Sequence, residues 1–299
     1  MSKVMDFLEK KYAEEKWFLF LKQLLFRYDD DGVSEMGAQL TYYLILSIFP
    51  FLIFFLSLLK FTPLADAGVL ERLLAVLPGD TQEILFDIIS GIMENGNIAL
   101  LSFGAVGALW SSSKGILSII KSVNRAYDLE EDRPFLKLRI LSVLFTIGLY
   151  LVLIVAFSIL IFGEVLFNLV FVSYTWPSLV IWKILKVLIP LVFMALILSL
   201  LYKFGPSVKD GVKVKFSEAL PGGIFSSLGI IVFSAIFSIY VNNFGNYSKS
   251  YGSIGGLIVL LIWLYAISIV IVLGAEVNAT IITMSNESIH ENEIEAAEE

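Results

Sequence analysis

Two ionisable residues, Lys114 and Glu276, stand in stretches of sequence that are otherwise largely apolar. A charge in a run long enough to span a membrane is costly, and its default reading is functional: a proton or ion carrier, a substrate contact, or half of an ion pair. Lys114 belongs to LWSSSKG, residues 109–115, where Ser111, Ser112 and Ser113 supply three consecutive hydroxyls. These can bond to their own backbone or to a neighbouring helix, and with Gly115 they tolerate a local break in a span. Glu276 belongs to GAEVN, residues 274–278, two positions before Asn278. At 1.5 Å per residue, Lys114 lies roughly 24 Å along its run, and Glu276 is deeper still along a run of the same direction. The layout allows a Lys114–Glu276 pair, or one polar network that includes Asn124 and Asn278. Snorkelling to the headgroups or a packing ion pair would leave the same pattern.

Glu218 opens EALPGG (218–223), where a carboxylate suits the positive end of a helix and Pro221 suits a first turn, so capping is the preferred reading there. Gln39 is a further polar candidate near the start of the first apolar run. At the opposite boundary, YVNNFGNYSKSYGSIGG (240–256) gathers Asn242, Asn243, Asn246 and Tyr251. A headgroup belt explains the tyrosines, and a polar outer mouth is the alternative.

Much other chemistry is closed to this chain. It has no Cys, and His290, in a tail holding six Glu between Glu287 and Glu299, is its single His. Thiolate sites, a Ser–His–Asp triad and a His-rich zinc site are therefore out of reach. No GxxxxGK[ST] loop is present, so ATP is not bound in a P-loop. The net charge of -7 opposes a nucleic-acid partner, whose affinity would rest on Lys and Arg. No enzyme activity, metal or cofactor is expected.

The elements that must position these residues follow from composition. The 299 residues are 58% hydrophobic and 16% charged, with a mean hydropathy of +0.84, more apolar than a soluble domain of this length requires. Six stretches reach the ~20 residues that cross a bilayer: about 38–61, 98–120, 140–163, 179–202, 219–241 and 253–282. Their unbroken length points to helices rather than barrel strands. The expected fold is an all-α polytopic membrane protein. Residues 1–37 form an amphipathic surface segment, 62–97 a helical hairpin, and 283–299 an acidic solvated tail. Lys and Arg concentrate in 1–37, 121–139 and 203–217, which places both termini in the cytoplasm of a multi-pass protein. Small residues four apart (Gly104 and Ala108, Ala219 and Gly223, Gly222 and Ser226, Gly252 and Gly256) mark close helix packing. They fit contacts within one chain as well as between chains, so the oligomeric state stays open.

With these motifs in order, the sequence resembles the YihY/BrkB family of bacterial inner-membrane proteins. The blocks are GAQLTYYLILSIFP (37–50), LWSSSKG, NRAY (124–127), Arg133, Leu138-Arg139, LYKFGP (201–206), ALPGG (219–223), the 240–256 segment, WLY (263–265) and GAEVN. Lys114 and Gly223 stand where the family more often has Arg and Ala. The resemblance implies a six-helix protein of poorly defined role, linked in some bacteria to virulence and resistance and often labelled ribonuclease BN; the missing ligands and the acidic balance argue against a ribonuclease. The expectation is an exporter or transporter of a lipid-like or other envelope substrate that works without ATP hydrolysis, its basic loops and surface helix reading membrane lipids. The alternative is a non-transporting scaffold or envelope-assembly partner.

Overall fold

The computed structural model describes residues 15–60, 98–170, 176–207, 214–244 and 255–298. All secondary structure among them is helical: α1 (Lys16–Asp30), α2 (Val33–Lys60), α3 (Ile98–Ala126), α4 (Phe135–Val170), α5 (Trp176–Phe204), α6 (Phe216–Phe244) and α7 (Gly255–Glu298). Among the described residues, five segments are long and apolar enough to cross a membrane: Ser102–Ala126, Phe135–Ala156, Pro177–Phe204, Phe216–Val241 and Gly255–Ser285. The first expected span falls within α2. The hairpin expected over 62–97 lies outside the described residues, as do Asn246 and Tyr251. Asn242 and Asn243 fall in the last turn of α6.

The helices overrun the expected spans because their ends carry polar residues that headgroups and water accept, so the backbone keeps its bonds beyond the hydrocarbon. In α7 the overrun is largest, since the helix continues to Glu298 through the segment expected as a tail.

α1 covers part of the amphipathic segment expected over 1–37, of which residues 1–14 lie outside the described residues and 33–37 open α2. Phe18 is buried, whereas Trp17, Leu21, Leu25 and Phe26 are exposed apolar side chains, as an interfacial helix requires. It ends at a left-handed Gly32 (φ 63°), with the Asp31 N–H bonded to the Arg27 carbonyl at 2.9 Å. Gly is favoured there because it carries no Cβ penalty. Only Asp31 and Gly32 separate α1 from α2.

The chain divides into two compact units. The first comprises residues 1–41, 117–138 and 191–299, and its described part includes α1, α6 and α7 whole; α7 packs along both α6 and α1. The second comprises 42–116 and 139–190. There Gly104 brings α3 against α2, since a Cβ on it would lie 2.9 Å from the Phe54 backbone nitrogen. Trp182 of α5 meets the Phe167 ring of α4 edge-on, with centroids 6.0 Å apart.

Candidate functional site

α6 and α7 touch backbone to backbone. A Cβ on Gly222 would run into the Gly274 carbonyl, and one on Gly274 would lie 2.8 Å from the Gly222 carbonyl and 2.6 Å from the Tyr202 hydroxyl. That hydroxyl donates to the Ile271 carbonyl at 2.6 Å and pairs with Ser226 at 2.9 Å. The seam gives the small residues their reason: packing, rather than a hydrophobic drive, holds helices together in lipid.

Asn278 closes the seam. Its Oδ1 accepts the Gly222 N–H at 2.7 Å and its Nδ2 donates to the Ala219 carbonyl at 3.1 Å. Pro221 lies beside these bonds. The sequence suggests a proline at the helix start, but α6 begins at Phe216, so Pro221 lies inside the helix. A proline there withholds a bond and its ring presses on the carbonyl four residues back. Asn278 ties down the neighbouring backbone. At the start of α6, Glu218 accepts the Lys215 N–H at 2.8 Å, as the acidic member of a capping box does.

Glu276, one turn-edge away, has none of this. It is fully buried, as is Thr280 one turn later, and neither carboxylate oxygen nor the Thr280 hydroxyl has a hydrogen-bond partner. The buried Tyr127 hydroxyl is the other side-chain atom in this condition among the described residues. Glu276 and Thr280, four apart, share a helix face. Burial, followed by the charges of Glu218 and Glu276, pushes the Tyr127 phenol well above its ordinary range. Arg27 holds the assembly: it donates to the Ala126 carbonyl at 2.9 Å and to the Thr283 hydroxyl at 3.2 Å, tying α1 to α3 and α7.

Asn124 does a different job. It donates to Glu131 at 2.8 Å and accepts the Ser207 N–H at 2.6 Å. Glu131 binds Arg133, which reaches the Gly205 and Phe204 carbonyls at 2.6 and 3.1 Å and so serves the C-terminus of α5. Burial opposes ionisation of Glu131, but its bonds from Arg133 and Asn124 win and hold its carboxyl below the ordinary range. Asn124 and Asn278 therefore belong to separate networks. Gln39 is exposed and accepts from Ser118 at 3.1 Å.

These features sit in a chain whose residues 24–298 match the family model of virulence factor BrkB. The chain belongs to the BrkB family. Among curated BrkB-like relatives, it is 38% identical to a Bacillus subtilis protein named as ribonuclease-like, YfkH, over 87% of this chain and 94% of that one. It is 28% identical to a UPF0761 membrane protein of Psychromonas ingrahamii, over 91% of each. A UPF0761 membrane protein of Pseudoalteromonas atlantica is 23% identical over 92% of this chain and 89% of its own. No solved structure matches.

In this BrkB-family chain the hydroxyl run before Lys114 turns inward on its own helix. Ser111 donates to the Gly107 carbonyl at 2.8 Å, Ser112 to Ala108 at 2.5 Å and Ser113 to Trp110 at 2.9 Å, and Ser112 also meets the Tyr150 hydroxyl of α4. α3 runs through them unbroken. Lys114 itself is exposed, and among the described residues no carboxylate ion-pairs with it. Among the described residues, no group of three or more His, Cys, Asp or Glu could hold a metal.

Sequence reasoning passed over Asp31, Tyr127 and Thr280. Asp31 is one of three consecutive aspartates, of which Asp29 and Asp30 are exposed and Asp31 is buried. The signal lay in Gly32: a left-handed turn right after the run swings its last member inward. Tyr127 and Thr280 had no such mark.

Proposed function

We propose that this protein moves a lipid-like or other envelope-related substrate across the bacterial cytoplasmic membrane without hydrolysing ATP, with both termini in the cytoplasm. The observation that carries this reading is Glu276. A fully buried, unserved carboxyl inside a span is a poor structural element, because an unpaired buried polar group costs about 1–3 kcal/mol and a charged one more. Such groups are kept in membranes for binding and proton traffic. The exposed apolar face of α1 and the basic loops suit an anionic lipid headgroup. The chain lacks the residues for the usual hydrolytic or nucleolytic centres, so we assign it no enzyme activity, and we expect membrane lipids rather than nucleic acid as partners.

The test is reconstitution. Purified protein in vesicles is expected to speed lipid scrambling or solute flux over protein-free vesicles, and Glu276→Gln is expected to lower it at least tenfold. Scrambling and flux equal to the protein-free control would refute transport. The closely packed α6–α7 seam favours a second reading, a non-transporting scaffold for envelope assembly, which that negative result would support.

A further inference from the structure

Within the second unit, the side chain of Arg139 crosses from α4 to α3. Its guanidinium carbon stands 4.0 Å from the centre of the Trp110 ring, and its Nη2 donates to the Trp110 carbonyl at 3.2 Å. A cation fixed by a ring and a carbonyl has already lost its rotamer freedom, so a further partner need not order it. It is far from saturated. A guanidinium has five N–H donors, and among the described residues this one makes a single hydrogen bond, to a carbonyl that Ser113 also engages at 2.9 Å. Lys114 follows Trp110 by four residues, which sets both on one exposed face of α3. Neither cation has a carboxylate partner among the described residues.

We propose that Arg139, held on Trp110, and Lys114 bind the phosphate of an anionic phospholipid in the cytoplasmic leaflet. A guanidinium takes phosphate oxygens in pairs, and a lysine adds a point charge beside it. The apolar surroundings select a lipid over a free anion. On α3, Phe103 and Val106 precede Trp110, and on α4, Ile140, Leu144, Ile147 and Leu151 follow Arg139; all six are exposed. Consecutive spans cross a bilayer in opposite senses, so both apolar rows lead from the cations into the hydrocarbon. Acyl chains match those rows as the headgroup matches the cations, and the exposed Trp110 ring suits the level where the two meet. The Lys and Arg of 121–139 assign this end of α3 and α4 to the cytoplasmic side.

This inference deepens the expectation of membrane lipids as partners, and its test reads binding alone. Full-length protein in detergent is titrated with phosphatidylglycerol or phosphatidylcholine and weighed with its bound lipid by native mass spectrometry. One phosphatidylglycerol is expected to be held about tenfold more tightly than phosphatidylcholine, whose choline brings a positive charge to the same two cations. Arg139→Ala and Arg139→Lys should both lower that affinity about tenfold, because lysine keeps the charge but neither the fork nor the ring contact. Lys114→Ala should lower it about fivefold, the effect of one lysine near an anionic surface. Lys215→Ala removes a lysine that already faces Glu218 at 3.8 Å and should leave it unchanged. Equal affinity for the two lipids overturns the proposal. So does full binding by Arg139→Lys, which would reduce the contact to general attraction of positive charge to the membrane surface, and so does replacement of the lipid by millimolar inorganic phosphate, which would make the occupant a soluble anion. Where a variant fails to fold, the unmodified protein decides: phosphatidylglycerol carrying a diazirine beside its headgroup should label residues 110–114 or 135–140, and labelling confined to other segments overturns the proposal. Lipid bound here without flux would leave the site standing and remove only transport; flux without it would do the reverse.

Discussion

Asn278 and Glu276 lie two residues apart on α7 and are both fully buried, but their surroundings differ in kind. Asn278 uses Oδ1 and Nδ2 on the backbone of α6 beside Pro221. Glu276 shares a helix face with Thr280, and neither its carboxyl oxygens nor the Thr280 hydroxyl has a hydrogen-bond partner. Spans contain two sorts of buried polar group. One completes a helix contact and has a fixed set of bonds. The other is enclosed without a hydrogen-bond partner and completes no contact.

Four substitutions probe that contrast, the largest effect first. Gly222→Ala forces a methyl into the Gly274 carbonyl, and overpacking of this kind costs about 1–3 kcal/mol and sometimes more. A steep fall in thermal midpoint in detergent, or failure to accumulate as folded protein, is the expected result. Asn278→Leu keeps the forked outline but adds bulk and loses the bond to the Gly222 N–H, which should cost at least about 1–3 kcal/mol by the same measurement. Arg133→Ala frees the Phe204 and Gly205 carbonyls near water rather than in lipid, so about 1 kcal/mol is expected. Glu276→Gln is expected to stay within about 0.5 kcal/mol of the parent in mild acid, because glutamine resembles a protonated glutamate. If Glu276→Gln proved as damaging as Asn278→Leu, the two sites would be of one kind after all.

The helices were legible in sequence because lipid leaves a long apolar run one solution for its backbone. Their partners were less so. Lys114 and Glu276 looked equivalent as charges in apolar runs, but one faces outward from α3 and the other is enclosed. That depends on which face of each helix packs, and runs this uniformly apolar carry little periodicity to show it. The Asn278 contact falls beside a proline that sits inside its helix rather than at its start, a shift set by where α6 begins. Asp31 was hidden among its neighbours for a similar reason, since only the turn at Gly32 separates the buried aspartate from the exposed ones.

The most direct test of the transport reading is flux through the reconstituted protein. At equal protein density, vesicles holding the parent chain are expected to scramble lipid or pass solute at least tenfold faster than vesicles holding Glu276→Gln, because the buried, unpartnered carboxyl is the group the reading depends on. Equal rates in parent, variant and protein-free vesicles would contradict it.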